Sequence, residues 1–281
     1  MILMILFYVI IGAVTGLASG MLGIGGGLII VPCLTFIFHY THLTPEFYTQ
    51  FAMGSSLGIM MFTGTSAIIT NARLSRIHTK VYWQLLSIIL PMCILGAVVA
   101  RFAHGDLLIL IFSITLLVMI FKLLRNKKEK HKPFNYLIPA NEVNIQVSKR
   151  RCIKYGSIIG FISGMLGIGG SVISVPFLIS QNLPIRYAAG TSSALSLPIA
   201  LVGSISYTLL GIASSETVSY SSGFLYWPAI ICVGLASMLT TPLGAKLSTI
   251  TPPNITRRIF IVLLLFICMK MFYIVIIQWL V

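Results

Sequence analysis

Two glycine-rich stretches hold the residues of this chain whose types and spacing most readily support chemistry. "GMLGIGGG" covers residues 20–27 and "GMLGIGGS" covers residues 164–171, an offset of 144. Both lie inside long apolar segments, although a glycine in a helix interior costs about 1 kcal/mol relative to alanine. A helix that breaks in an apolar environment and restarts directs its first N–H groups and its positive dipole end at the gap. Two such ends that meet would bind an anion without a buried cation.

The residues predicted to bind this anion are small and offer backbone or hydroxyl donors. Glycine allows an anion to approach the backbone closely, and hydroxyls in the same layer would add donors. The predicted substrate-binding residues are Gly23, Gly25, Gly26, Gly27, Gly167, Gly169, Gly170 and Ser171, with Ser55, Ser56, Thr191, Ser192 and the adjacent Ser193 as hydroxyl donors. The alternative is that small residues only allow tight helix packing. That alternative stays open for the hydroxyls, whereas four glycines in five positions exceed what packing requires.

Other chemistry has little support in the sequence. The acidic and histidine residues lie in predicted loops or at segment ends, so intramembrane carboxylates for a proton relay or a cation site are not expected. No histidines pair at metal-ligand spacing and the five cysteines show no CxxC spacing. Nucleotide-binding motifs, a Gly-x-Ser-x-Gly elbow and a Cys/His dyad are not found either. We therefore expect no cofactor, no metal and no enzymatic activity.

The composition indicates which elements must position the glycines. The 281 residues are 57% hydrophobic and 9% charged, with a mean hydropathy of +1.00, whereas soluble domains carry about 25% charged residues. Most apolar segments have the length that crosses a bilayer. The predicted fold class is an all-α polytopic membrane protein, with the lipid bilayer as a partner. The segments fall at 3–38, 47–70, 80–101, 106–124, 153–180, 186–211, 224–247 and 255–280.

The two halves of the chain resemble each other, which predicts an internal duplication. "GMLGIGGGLIIVP" matches "GMLGIGGSVISVP", "AMGSSL" (52–57) resembles "AAGTSS" (188–193), and Tyr82-Trp83 recurs as Tyr226-Trp227. We predict a first transmembrane repeat over 1–124, a polar linker over 125–152 and a second repeat over 153–281, each with four apolar segments. Many transporters place their substrate site at such a repeat interface.

The basic residues favour oppositely oriented repeats. The connection between the second and third segments is basic in the first half, and the one between the third and fourth is basic in the second half. Cytoplasmic loops are enriched in Lys and Arg. If 3–38 and 153–180 bend back at their glycines, every basic residue except Arg101 and Lys270 falls on the side of the long linker. This places the linker in the cytoplasm. The net charge of +14 then reflects membrane orientation, and no nucleic-acid partner is expected.

At these motifs the chain resembles a known family. "GLASGMLGIGGGLIIVP" and "GFISGMLGIGGSVISVP", followed by "AAGTSSAL" (188–195), resemble the signature of the sulfite exporter TauE/SafE family, and the two-repeat layout also agrees. The first half reads "AMGSSL" where the family pattern has Thr before Ser. The resemblance implies a secondary transporter that exports a small sulfur-containing anion, such as sulfite, a sulfonate or sulfoacetate, across a bacterial inner membrane by alternating access.

Two other functions stay open at this stage. One is a permease for another small anion or for a metal–thiol species, which could use Cys33 next to Pro32. The other is a membrane enzyme or assembly protein without a transport role. The sequence does not decide the substrate, the coupling ion or whether the chain forms a homodimer.

Overall fold

A computed structural model describes residues 2–22, 25–41, 43–44, 46–125, 140, 147–213, 218–250, 261–262 and 264–271. Within these residues the chain is almost entirely helical, as the sequence predicted. Its elements are α1 (Ile2–Leu22), α2 (Gly27–Tyr40), α3 (Tyr48–Arg73), α4 (Thr79–Phe102), α5 (Gly105–Arg125), α6 (Lys149–Leu166), α7 (Ser171–Ser180), α8 (Ile185–Ile212), β1 (Ser221–Ser222), β2 (Leu225–Tyr226) and α9 (Trp227–Ile250), with a further helical stretch at 264–271. The strands β1 and β2 form one short antiparallel pair.

Five of these helices are long and apolar enough to cross a membrane, namely α1, α3, α4, α8 and α9. Shorter apolar helices occur at α2, α5 and α7. Large apolar side chains cover the outside of the bundle; Trp83, for example, is 65% exposed and Leu239 is 76% exposed. The chain is thus an all-α multi-pass membrane protein, which confirms the predicted fold class.

Both long first segments break at their glycines. α1 ends at Leu22 and α2 begins at Gly27, while α6 ends at Leu166 and α7 begins at Ser171. The ring of Phe38, near the end of α2, lies 5.5 Å from that of Tyr226. Arg151, in the first turn of α6, donates to Gln181 Oε1, just beyond α7, at 3.3 Å.

Rows of glycines pair α1 with α9. A Cβ on Gly12 would lie 2.6 Å from Val233 O, and one on Gly16 would meet the backbone of Ser237. The residue numbers of the two helices rise together along the contact, so α1 and α9 run parallel. Since Tyr226 immediately precedes α9, α1 begins and α2 ends at the same end of the bundle. The helices α1 and α2 therefore form a first hairpin, and the contact between Arg151 and Gln181 shows that α6 and α7 form a second.

A second row of glycines pairs α4 with α6. Gly160 lies against the carbonyl of Ile89, and Gly164, one turn later, lies against that of Cys93. These helices also run parallel. Glycine at every fourth position permits such close approach of two backbones. These rows were not predicted, although the glycine spacing in "GLASG" (16–20) and "GFISG" (160–164) is a sequence signal for them.

At the centre of the bundle α3 and α8 run antiparallel. A Cβ on Gly64 would lie 3.1 Å from Leu197, and one on Gly190 would lie 2.7 Å from the carbonyl oxygen of Arg76. These two helices are the matching elements of the predicted repeats. They run in opposite directions, and the first helix of each predicted repeat pairs with a later helix of the other repeat, α1 with α9 and α6 with α4. This is the arrangement that an inverted repeat requires. The duplication itself stays a prediction.

The bundle has one strongly basic end, which we define by the α3–α4 connection and the first turns of α6 and α8. Ala140, in the long linker, donates its N–H to Ser75 O at 3.0 Å, so the linker contacts this end. Burial and the neighbouring Arg186 lower the pKa of Arg76, and Tyr187 opposes this effect. Basic residues at this end include Arg73, Arg76, Lys80, Lys149, Arg150, Arg151 and Arg186.

Candidate functional site

The helices α2 and α7 are each preceded by a glycine in the left-handed region, which forms the N-cap. Gly26 has φ 80° and ψ −27°, and Gly170 has φ 74° and ψ −17°. An L-residue in this conformation costs about 1–2 kcal/mol, which explains glycine at both positions. Gly26 O accepts the N–H groups of Ile29 and Ile30 at 3.0 and 3.2 Å, so α2 starts directly after the turn. The first N–H groups of such a helix have no intrahelical acceptor.

The two glycine clusters touch each other. A Cβ on Gly27 would lie 2.7 Å from Gly167 O and 2.9 Å from Ile168 Cα. One on Gly25 would lie 2.7 Å from Ser196 Oγ and 3.3 Å from Ser171 Oγ. Gly25, Gly26, Gly27, Gly167, Gly169, Gly170 and Ser171 are all buried. The structure therefore brings together the predicted glycine residues, except Gly23, which lies outside the described residues.

Two of the predicted hydroxyls lie beside the clusters. Ser56 Oγ on α3 donates to Gly167 O at 2.9 Å. Ser192 Oγ on α8 hydrogen-bonds to Ser174 Oγ, in the first turn of α7. These two serines hold the second hairpin against the central helices.

The other two predicted hydroxyls hold loops at opposite ends of the bundle. Ser55 Oγ accepts the N–H of Tyr226 at 2.9 Å, and Thr191 Oγ1 accepts that of His78 at 2.9 Å. These two hydrogen bonds hold the residues that immediately precede α9 and α4. The neighbouring Gly54 gives the loop room, since a Cβ there would lie 2.6 Å from Phe224 O. The adjacent serine, Ser193, donates to Gly190 O and accepts from Asn71.

Two residues that sequence reasoning missed complete the contact between the clusters. Ser196 Oγ donates to Gly169 O at 3.2 Å. Met60, near the middle of α3, has its sulfur 2.9 Å from a Cβ placed on Gly27, and its methyl lies against Gly169. Ser196 follows Ser192 by one helical turn and could have been found from that spacing. Met60 could not be found in this way, because its side chain is apolar.

Acidic groups are remote from the glycines in the part of the chain that the structure describes. Glu46 precedes α3 and Asp106 lies in the first turn of α5, both at the end opposite the basic one. In that same part no group of three His, Cys, Asp or Glu residues could hold a metal ion. Cys33 lines a lateral apolar pocket of about 480 Å³ formed by α1, α2 and residues 266–271, none of whose lining residues is a predicted site residue. The described polar groups at the glycine contact are thus hydroxyls and backbone N–H and C=O groups, and no carboxylate is among them.

Comparison with known proteins agrees with this architecture. The family described as sulfite exporter TauE/SafE matches residues 8–271. The chain belongs to the sulfite exporter TauE/SafE family. A probable membrane transporter protein of Haemophilus influenzae is 26% identical over 272 residues, covering 95% of this chain and 98% of the relative. A probable membrane transporter protein of Methanocaldococcus jannaschii is 26% identical over 258 residues, covering 89% of this chain and 88% of the relative.

A plant relative extends the comparison. The sulfite exporter TauE/SafE family protein 5 of Arabidopsis thaliana is 25% identical over 142 residues, covering 50% of this chain and 30% of the relative. No solved structure matches the chain. Membership of the TauE/SafE family makes the chain a membrane transporter and not an enzyme.

Proposed function

We propose that this TauE/SafE family member is a secondary transporter that exports a small sulfur-containing anion, such as sulfite, a sulfonate or a sulfoacetate-like compound. The observation that carries the proposal is the contact between the two glycine clusters: Gly27, the first residue of α2, lies against Gly167 and Ile168, and a Cβ on Gly25 would lie 3.3 Å from Oγ of Ser171, the first residue of α7. Each helix start presents N–H groups and a positive dipole end. Two converging positive ends favour an anion.

The surroundings support an anion over a cation. Ser56, Ser192 and Ser196 carry hydroxyls at the clusters, and all three are buried. The described acidic residues lie at one end of the bundle. A cation in the apolar interior would need carboxylate or multiple oxygen ligands. The family to which the chain belongs and the name of the Arabidopsis relative favour a sulfur oxyanion among the small anions.

The arrangement of the hairpins supports alternating access. The hairpin of α1 and α2 enters from the end where α9 begins, and the hairpin of α6 and α7 enters from the basic end. Rocking of one hairpin and its partner helix against the other would expose the glycine contact to each side in turn.

The charge distribution supports export. Since basic loops stay in the cytoplasm, the basic end and the linker face the cytoplasm of a bacterial inner membrane. A potential that is negative inside then favours expulsion of an anion by about 2.3 kcal/mol per charge per 100 mV.

The test is transport in proteoliposomes loaded with radioactive sulfite, an alkanesulfonate or sulfoacetate. We expect saturable efflux of at least one of them that chloride does not compete for. Gly26→Leu and Gly170→Leu should abolish efflux, because each forces a side chain into a left-handed position at a helix start. Gly156→Ala is the control, since its Cβ would meet only the Ile88 side chain, at 3.2 Å. Flat traces for every sulfur anion, or full efflux in both leucine variants, would contradict the proposal.

A further inference from the structure

Two hydroxyls on α1 are buried without a hydrogen-bond partner. Thr15 is 0% exposed and Ser19 is 2% exposed, and neither side-chain oxygen has a partner. Helical serines and threonines commonly donate to the carbonyl one turn earlier, as Thr65 does to Met61 O at 2.7 Å. Because an unpaired buried hydroxyl is destabilising, these two are poised to receive a partner.

Both side chains lie against the start of α2. The methyl of Thr15 is 2.8 Å from a Cβ placed on Gly26, and Cβ of Ser19 is 3.9 Å from the same point. The two residues are one helical turn apart and therefore share a face of α1. Thr15 and Ser19 thus flank the N-terminal glycine from which α2 restarts, with α2 being 14 residues long.

The matching positions in the second half lack this feature. At the offset of 144, Ile159 replaces Thr15 and Ser163 replaces Ser19. Ser163 Oγ donates to Ile159 O and so has a partner. The free donors are found only on the first hairpin among these four positions.

We infer that the transported anion binds at the start of α2, where the Thr15 and Ser19 hydroxyls donate to it together with the first backbone N–H groups of α2. This inference rests on the proposed function and assigns the anion-binding groups to the first half of the chain. The backbone N–H groups can only donate and each hydroxyl has one proton to donate, so a ligand with two or more acceptor oxygens satisfies all of these groups. The Thr15 methyl and Ile30, whose Cδ1 lies 3.4 Å from the same Gly26 Cβ position, add an apolar wall. A sulfite or sulfonate group, with oxygens on one side and a lone pair or carbon on the other, has this chemistry.

The experiment compares Thr15→Val and Ser19→Ala with Ser163→Ala in sulfite efflux from proteoliposomes and in sulfite-induced thermal stabilisation in detergent. Loss of one hydrogen bond to an anion should raise KM about tenfold or more in each α1 variant. Thr15→Ser keeps the hydroxyl and should raise KM far less than Thr15→Val does. Ser163→Ala should retain the KM of the unsubstituted protein.

The ligand-free melting temperature separates binding from folding. Thr15→Val removes an unpaired buried hydroxyl, so its melting temperature without sulfite should equal or exceed that of the unsubstituted protein, while the sulfite-induced shift is lost. An unchanged KM in Thr15→Val and Ser19→Ala, or an equal rise in Ser163→Ala, overturns the inference but leaves the proposed function intact. Failure of the unsubstituted protein to move any sulfur anion overturns both.

Discussion

Replacing Ser55 by alanine and Thr191 by valine should destabilise the protein without weakening substrate binding. Each hydroxyl accepts a backbone N–H at 2.9 Å, from Tyr226 and His78 respectively, and both side chains are fully buried. Removing the acceptor takes a hydrogen bond from each N–H at the entry to a membrane-spanning helix. A buried donor left in this way costs about 1–3 kcal/mol. Since about 1 kcal/mol shifts the melting temperature by about 2–4 °C in chains of 150–250 residues, we expect a loss of several degrees.

The assay is thermal unfolding in detergent, followed by tryptophan fluorescence, together with KM for sulfite efflux. The exchanges Ser55→Thr and Thr191→Ser keep the acceptor and should restore the melting temperature. Ser56→Ala is the matched neighbour, because Ser56 donates to Gly167 O at the glycine contact, and we expect it to change transport as well as stability. A raised KM with an unchanged melting temperature in Ser55→Ala and Thr191→Val would refute this reasoning and restore both hydroxyls to the binding site.

Two further predictions concern the bundle. Gly16→Val should separate α1 from α9, because its Cβ would meet the Ser237 backbone and Thr240 Oγ1, and overpacking of this kind costs about 1–3 kcal/mol or more. We expect the variant to lose its monodisperse peak in size-exclusion chromatography, and a normal peak would contradict the prediction. Single cysteines at Arg73 and His104, in a variant with the five native cysteines replaced, should react differently with an impermeant maleimide added to intact cells: Arg73→Cys should be protected and His104→Cys labelled, and the reverse pattern would contradict a cytoplasmic basic end.

The sequence predicted the elements of this fold well because bilayer-spanning segments are set by local hydropathy. The predicted segment 47–70 became α3 at Tyr48–Arg73, and 80–101 became α4 at Thr79–Phe102. The helix breaks were also predictable, because residues in the left-handed region such as Gly26 and Gly170 are strongly biased toward glycine.

The partners of each residue were harder to predict. A close helix contact can be predicted from the spacing of Gly12, Gly16 and Gly20. The spacing does not indicate that the partner helix is α9, which lies more than 200 residues away in the sequence. Ser55 and Ser56 are adjacent and chemically identical, yet a step of about 100° around the helix turns one to the α9 entry and the other to the second hairpin. Residue type alone cannot distinguish these two directions.

Different hydroxyls of α3 and α8 hold the second hairpin and the loops, so the proposed alternating-access movement of that hairpin would break only some of these bonds. The second hairpin is held at its turn by Ser56 on Gly167 O and by Ser196 on Gly169 O. Such bonds contribute about 0.5–1.5 kcal/mol each. A ligand that binds one arrangement of the hairpins better than the other can supply a free energy of this size. The bonds from Tyr226 to Ser55 and from His78 to Thr191 join other parts of the chain, so they can persist while the hairpin turns change partners.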